Sequence, residues 1–430
     1  MKISFAKKNI SPEIGIRIAG YGPDDFTTAK RDDLFLTALG VDNGEKTALV
    51  LGYDLIGIDA KYIRRIRREC AAIIGGDESQ VILSCTHTHC GPHTRSSVGY
   101  AQRLEVEYLE KLVAATCEAA HEIMNGKWVD TEILFYALNC DENINRRYVG
   151  NDNKCTFLPH RPYLEPLCDG IRDRELGIII FRNKETWQIE YIIGNYAAHP
   201  LAGHAPGLGG HRISADFPGA YRNYLEADVG CGCMFLSGAA GDMVPKGHET
   251  GSAAIEEVGA KLAQETIKGI ISATRTSDSY RLKNETIQSG FAHVSGKVRP
   301  CKPNIPPAYQ GQTEVDMELQ LFSIGDICLV GVPGEMLAEL GLEIKWHSPF
   351  RKTFILYCST DYLSYLGYGN ALVQGGYEAR QQYFDSHTGL KLVNAAVEGC
   401  YELYEKTFPD HATWPENSIL PLVSVLNLGN

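Results

Sequence analysis

The chain has 430 residues, 44% hydrophobic and 22% charged, with a formal net charge of −12. That composition is ordinary for a soluble globular protein, and the length affords a sizeable core. The negative balance argues against nucleic acid, whose binding needs a basic patch, and against an anionic membrane surface.

The N-terminal MKISFAKKNISPEIG carries no long apolar stretch and no small-residue cleavage site, so no secretory signal is expected. The longest apolar runs, such as ELGIIIF, fall well short of the roughly 20 residues a spanning helix needs. The expectation is a cytoplasmic protein with no transmembrane segment that acts on a small molecule, its oligomeric state left open. The 13 cysteines are odd in number and scattered. They read as reduced, mostly buried thiols rather than a disulfide framework, and CGC at Cys231 to Cys233 reads as part of a strand.

In chain order, LFLTALGV and TALVLGYDL flank DNGEK and predict a hairpin over residues 34–58. DAKYIRRIRRECAAIIGG has helical periodicity, with Asp59 as N-cap and Gly75 as stop. QVILSCTHTH predicts a strand running into a loop, EVEYLEKLVAATCEAAHEIMNG a long amphipathic helix ending at Gly126, and TEILFYALN a strand. Residues 140–175 are polar and irregular, and loops of that length are usually functional. ELGIIIF and WQIEYIIGNYAAH predict two strands, DFPGAYRNYLEAD a helix, CMFLSGAAGD a strand into a glycine turn, and SAAIEEVGAKLAQETIKGI a helix. Residues 280–327 are strand-like with turns. ICLVGVPGEMLAELGLEIKWH predicts strand, tight turn and helix, KTFILYCSTDYLSY a strand into a loop, and LKLVNAAVEGCYELYEKTF the last long helix. Alternation of this kind defines an α/β fold, here expected as mixed β-sheets flanked by helices in one domain over 1–430.

Five apolar strands each run into a loop with a reactive side chain: His87 and His89, then His199, Asp242, Glu335, and the pair Tyr362 and Tyr365. Ligands of α/β proteins bind outside the carboxyl ends of strands, so five such ends would build one pocket. His87 and His89, two residues apart in VILSCTHTHCGPH, share a face in extended backbone. Two imidazoles on one face can share a metal, or divide ligation from proton transfer. Taken singly, each residue also fits an ordinary role: a core histidine, a helix-capping carboxylate, a packing tyrosine.

The ordered set resembles the catalytic domain of the neutral ceramidase family, zinc-dependent amidases that split ceramide. NISPEIGIRIAGYG is similar to that family's DITPP…G…GYG, SCTHTHCGP to its SATHTHSGP, and NINRR to its NxNRSP. ISADFPGAY and GAAGDMVP resemble SxDxxG and GDVSPN, and VPGE matches outright. TDYLSY and GYEARQQYFDSHT resemble NVYTHY and RYEAASTIYGPHT. The order is kept over nearly the whole chain.

The resemblance implies a zinc-dependent hydrolase that cleaves an amide (or ester) bond with zinc-activated water. It implies His87, His199, Glu335 and Tyr365 as ligands of Zn2+, with Tyr362 as the fallback phenol. His89 and Tyr377 become the oxyanion-side groups, and Arg146, beside Asn145 in NINRR, faces the substrate. Asp216 and Asp242, in glycine-rich turns, are expected either to hold a ligand histidine in its tautomer or to cap their turns, and Asp242 also to take a proton. His204 and His211, in HPLAGHAPGLGGH, are expected near the pocket, as contacts for a polar substrate or a second metal.

The sequence departs from the family at three places. The serine that follows GDV in the family is Val244 here, so no acyl-serine route passes through that position. HGTSM becomes HPLAG after the ligand histidine. The chain also stops soon after its last helix, so no C-terminal β-sandwich domain is expected. These departures keep two rivals open: the same fold acting on a small polar substrate such as a sugar or N-acyl compound, and a non-catalytic binding protein on a relict fold.

Overall fold

Two β-sheets stacked face to face carry the fold. The computed structural model describes residues 1–20, 25–96, 104–150, 152–157, 170–204, 211–275, 277–302 and 305–409. The larger sheet has eight strands, in the order Gly232–Ser237, Ile189–Tyr196, Glu175–Asn183, Val129–Asn139, Lys2–Asn9, Phe35–Asp42, Thr47–Tyr53 and Val81–Cys85. Its interior pairings are antiparallel, and the pair at each edge is parallel. The smaller sheet runs Ile287–Lys297, Glu314–Ile324, Ile327–Gly331 and Lys352–Leu356, the last pair again parallel.

Period-two alternation assigns each strand's side chains to two layers. Ile179 and Phe181 turn inward and meet Phe322, Leu329, Phe354 and Leu356 of the smaller sheet. Ile178 and Ile180 turn outward onto the helices Asp216–Val229 and Ser252–Arg275. The helices Ala60–Ile74 and Val106–Asn125 cover the other half of that outer face. Ala338–His347 and Thr388–Thr407 cover the smaller sheet. The result is four layers, helix–sheet–sheet–helix, as expected for mixed sheets flanked by helices.

Most predicted elements fall where periodicity puts them. The hairpin closes through Asn43–Lys46. Asp59 caps its helix by accepting from the Lys61 amide, and Gly75 ends it with φ 70°. Three things were not anticipated. The first strand, Lys2–Asn9, lies mid-sheet between Phe35–Asp42 and Val129–Asn139. The irregular stretch after residue 140 holds the short strands Asn143–Asn145, Arg147–Val149 and Cys155–Phe157. Two short helices, Gly369–Gln374 and Gly376–Gln381, follow the tyrosine loop. The described cysteines are all free, most of them buried. Among the described residues no helix is long and apolar enough to cross a membrane.

Phe354 is 1% exposed and lies so close to Gly177 of the larger sheet that no Cβ would fit there. Phe354→Ala is expected to cost about 3–5 kcal/mol through a cavity that the facing sheets cannot close, read as a lower denaturant midpoint at unchanged slope.

Candidate metal centre

The three parallel strand pairs of the two main sheets all discharge their chains toward one place. Main-chain bonds knit the ends together: Tyr357 donates to Ser237 O at 3.0 Å, and His199 to Met243 O at 3.0 Å. Ser237 Oγ donates to Thr86 O at 2.8 Å, and Ser84 Oγ to Tyr357 O at 3.1 Å.

His87, His89 and His199 cluster there, their nearest ring nitrogens within 4.8 Å of one another. Ring centroids are 4.7 Å apart for His87 and His199, 5.2 Å for His87 and His89, and 5.3 Å for His89 and His199. The convergence of His87 and His89 corrects the extended-backbone expectation. The strand ends at Cys85 and His87 takes φ 70°. A left-handed turn, not a shared strand face, brings the rings together. A non-glycine residue in that region costs roughly 1–2 kcal/mol. Cys358 (φ 46°) and Ser364 (φ 62°), near the candidate tyrosines, share the condition, which is where strain tends to collect in functional sites.

Each of the two fully buried rings is oriented by a main-chain carbonyl. His87 Nδ1 is 2.6 Å from Ile56 O, and His199 Nδ1 is 2.7 Å from Ala240 O. A carbonyl only accepts, so Nδ1 carries the proton and Nε2 the lone pair. Both Nε2 atoms are buried and make no hydrogen bond. They face a single oxygen, Glu335 Oε2, at 3.5 and 3.3 Å. Two lone pairs aimed at one carboxylate oxygen repel unless a cation lies between them. The donor set, two imidazole nitrogens and a carboxylate, is one that zinc accepts.

Glu335 is 2% exposed. Tyr357 donates to its Oε2 at 3.1 Å, and the Tyr362 hydroxyl donates to Oε1. Burial alone would raise its pKa; positive charge at the His87 and His199 rings outweighs that and holds the carboxyl well below its usual range, and with both rings neutral a cation between them would have to supply that charge. Burial pushes His199 down to about 4 and His89 well below the ordinary histidine value.

The VPGE turn sets Glu335 by close backbone contact. Glu335 pairs with Tyr365 in a short parallel ladder, and its amide donates to Ser364 O at 2.8 Å. A Cβ on Gly334 would lie 2.5 Å from that same carbonyl, and one on Gly241 would lie 2.7 Å from Glu335 O. Both positions therefore require glycine.

Of the two candidate phenols, Tyr362 touches Glu335 and stacks on His87, with centroids 6.4 Å apart and planes 15° apart. The Tyr365 hydroxyl accepts from Arg146 Nη2 at 2.9 Å. Burial raises Tyr365 well above the ordinary phenol pKa, and the Arg146 charge acts against that rise. Arg146 is itself held by Glu378 Oε1 at 2.7 Å and Gly241 O at 2.8 Å. Tyr377, 38% exposed, has its ring 5.6 Å from Tyr365 and 5.7 Å from the Arg146 guanidinium.

Of the two roles open to the aspartates, the structure shows the capping one. Asp242 accepts from the Ala338 amide and from Asn145 Nδ2, both at 2.8 Å. Asp216 accepts from the Gly203 amide at 2.7 Å and the Phe217 amide at 2.8 Å. Neither holds a ligand histidine, because the carbonyls of Ile56 and Ala240 already set both tautomers. Asn145 is bound within its own chain: Nδ2 also donates to Ile171 O at 2.7 Å, and Oδ1 accepts from the Arg147 amide at 2.8 Å. His204 ends the turn Ala202–His204, and its side chain lies outside the described residues. His211 sits 3.3 Å from Asp25, outside the histidine cluster. Val244 is 2% exposed in the strand Met243–Pro245, paired to Asn143–Asn145.

Sequence reading missed Tyr357, Arg147, Glu378 and Arg95. Tyr357 ends the predicted strand FILY, and Glu378 follows Tyr377 directly. Only the pairing of distant segments shows that one carboxylate, Glu378, answers two arginines, with Arg147 Nη1 at 3.0 Å from its Oε2. Glu378→Ala leaves both guanidiniums without their carboxylate in a buried setting. An expected loss of about 3–5 kcal/mol would appear in thermal or denaturant unfolding.

No protein-family model matches the chain, and no curated protein matches its sequence. Solved structures do. The chain is similar to neutral ceramidase from Pseudomonas aeruginosa, with a TM-score of 0.77 and 16% identity over 94% of this chain and 75% of that one. It is also similar to a ceramidase complexed with C2, with a TM-score of 0.76 and 15% identity over the same shares. The fold is thus of the α/β class with stacked mixed sheets. Within that class it is a neutral-ceramidase-like fold.

Proposed function

We propose that the protein is a zinc-dependent hydrolase of an amide (or ester) bond, ceramidase-like in its chemistry. The observation that carries this reading is the pair of buried Nε2 atoms of His87 and His199, without hydrogen bonds, aimed at one oxygen of Glu335. His87, His199, Glu335 and Tyr365 would hold the zinc. Zinc bound there supplies Lewis acidity, polarising a carbonyl and lowering the pKa of water to near 7.

The chain's own residues divide the remaining work. Ile56 O and Ala240 O fix both ligand rings, so binding needs no ring reorientation. Tyr357 and Tyr362 hold the Glu335 carboxylate in place. Arg146 holds the Tyr365 phenol and favours its ionised form. Tyr377 is proposed to donate its O–H to the oxygen that gains charge at the scissile carbonyl, with His89 beside it. Preorganised donors of this kind typically contribute about 10²–10³ in rate. Asp242 acts by position, fixing Asn145 and the start of the helix Ala338–His347. Val244 has no group that could attack or donate, so a serine-type acyl intermediate has no place here.

The rival reading, a binding protein on a relict fold, draws on Val244. Two tests separate the readings. Metal analysis of the purified protein is expected to give about one zinc per chain, lost in His87→Ala and Glu335→Ala. No uptake of added zinc would sink the hydrolase. The ligand set is tested by comparing His89→Ala with Tyr365→Phe. His89→Ala should keep zinc and lose about 10²-fold in turnover, whereas Tyr365→Phe should weaken zinc itself. If His89→Ala loses zinc as completely as His87→Ala, the centre is a three-histidine site.

A further inference from the structure

Arg95 is a third guanidinium at this site, and the roles above leave it unused. Its guanidinium carbon lies 3.6 Å from the centroid of the Tyr362 ring. That ring stacks on His87 and donates to Glu335. One aromatic ring therefore separates Arg95 from the candidate ligands. Its stem is packed against Gly57, where a Cβ would lie 3.4 Å from Arg95 Cδ. Gly57 follows Ile56, whose carbonyl orients His87. The guanidinium is thus placed by the same segment that places a ligand.

Among the described residues Arg95 has no ion-paired anion, whereas Arg146 and Arg147 share Glu378. The Arg95 Nε is buried and makes no hydrogen bond. Burial works against its charge, and the groups that favour that charge are Tyr362 first, then Glu335, Cys358 and Tyr383. Glu335 is already committed to the two histidines. A dication bound beside it would leave the site with a larger excess of positive charge. Arg95 is half-buried, so its terminal N–H groups are open to a ligand, and one that brings the opposite charge would pair with it.

We propose that Arg95 is a substrate-recognition residue that binds a carboxylate, so that the substrate is an amide or ester bearing a free carboxylate, of the N-acyl amino acid class. This rests on the hydrolase reading for the reaction, but not for the binding. A planar guanidinium matches a planar monoanion, which it can grip through two parallel N–H donors. The proposal replaces a lipid amide of neutral headgroup with a charged one.

The test uses the zinc-loaded full chain. Calorimetry compares N-acetylglycine with its neutral amide, N-acetylglycinamide, on wild type, Arg95→Gln and Arg95→Lys. Each variant is first checked for zinc content and unfolding midpoint. Wild type is expected to bind the carboxylate, and Arg95→Gln to weaken it by roughly 100-fold with little change for the neutral compound. Arg95→Lys should fall between. The same ratio is then read in kcat/KM for N-octanoylglycine against N-octanoylglycinamide. Arg95-dependent binding without turnover of either compound supports the anion site and counts against the hydrolase. Turnover of both compounds at a ratio that Arg95→Gln leaves unchanged keeps the hydrolase and overturns the anion site. Failure of wild type to bind N-acetylglycine, or carboxylate binding that persists undiminished in Arg95→Gln because the metal alone holds it, also overturns the anion site.

Discussion

The buried carboxylate of Glu335 is the constraint around which the rest of the centre is arranged. An ionised carboxyl group at 2% exposure is tolerable only with partners. It has two tyrosine hydroxyls and two imidazole nitrogens within 3.5 Å. The hydroxyls donate; the imidazole nitrogens, with their protons on Nδ1, cannot. The carboxylate is therefore half satisfied by the protein and half prepared for something positive. Gly334 and Gly241, the pairing of Glu335 with Tyr365, and the left-handed turns at His87 and Ser364 all serve to put that one oxygen in place.

The stacked sheets explain how such a place can exist. Antiparallel strands send successive loops to opposite ends of a sheet, whereas parallel neighbours send theirs to the same end. In the two main sheets the parallel pairs are Thr47–Tyr53 with Val81–Cys85, Ile189–Tyr196 with Gly232–Ser237, and Ile327–Gly331 with Lys352–Leu356. Segments far apart in sequence thus deliver His87, His199, Glu335 and the tyrosines to one neighbourhood. The main-chain carbonyls at those strand ends then orient the rings. Backbone is a rigid orienter, since it has no side-chain rotamers to lose.

Arginine chemistry surrounds this centre in two different forms. Arg146 and Arg147 share Glu378 and are structural in their charge balance, though Arg146 also reaches the Tyr365 phenol. Arg95 is stacked on Tyr362 and not paired with a carboxylate among the described residues. The first pair shapes the site, and Arg95 carries the proposed preference for a carboxylate. The strand Met243–Pro245, which carries Val244, contributes a main-chain carbonyl to His199.

Periodicity alone determined the α/β class, the hairpin closed at Asn43–Lys46, the capped helix from Asp59 to Gly75 and the long outer helices, because these follow from local burial patterns and turn chemistry. The order of short motifs determined the resemblance, and the position of each motif at a strand's end made His87, His89, His199 and Glu335 legible as one set. Only the tertiary structure decided that carbonyls, not Asp216 or Asp242, fix the histidine tautomers, and that Asn145 is spent on bracing. The central position of Lys2–Asn9, the double duty of Glu378 and the stacking of Arg95 on Tyr362 also lay beyond the sequence. In each case the deciding partner is dozens to hundreds of residues away, and local sequence carries no information about which distant carbonyl or carboxylate arrives to meet a side chain.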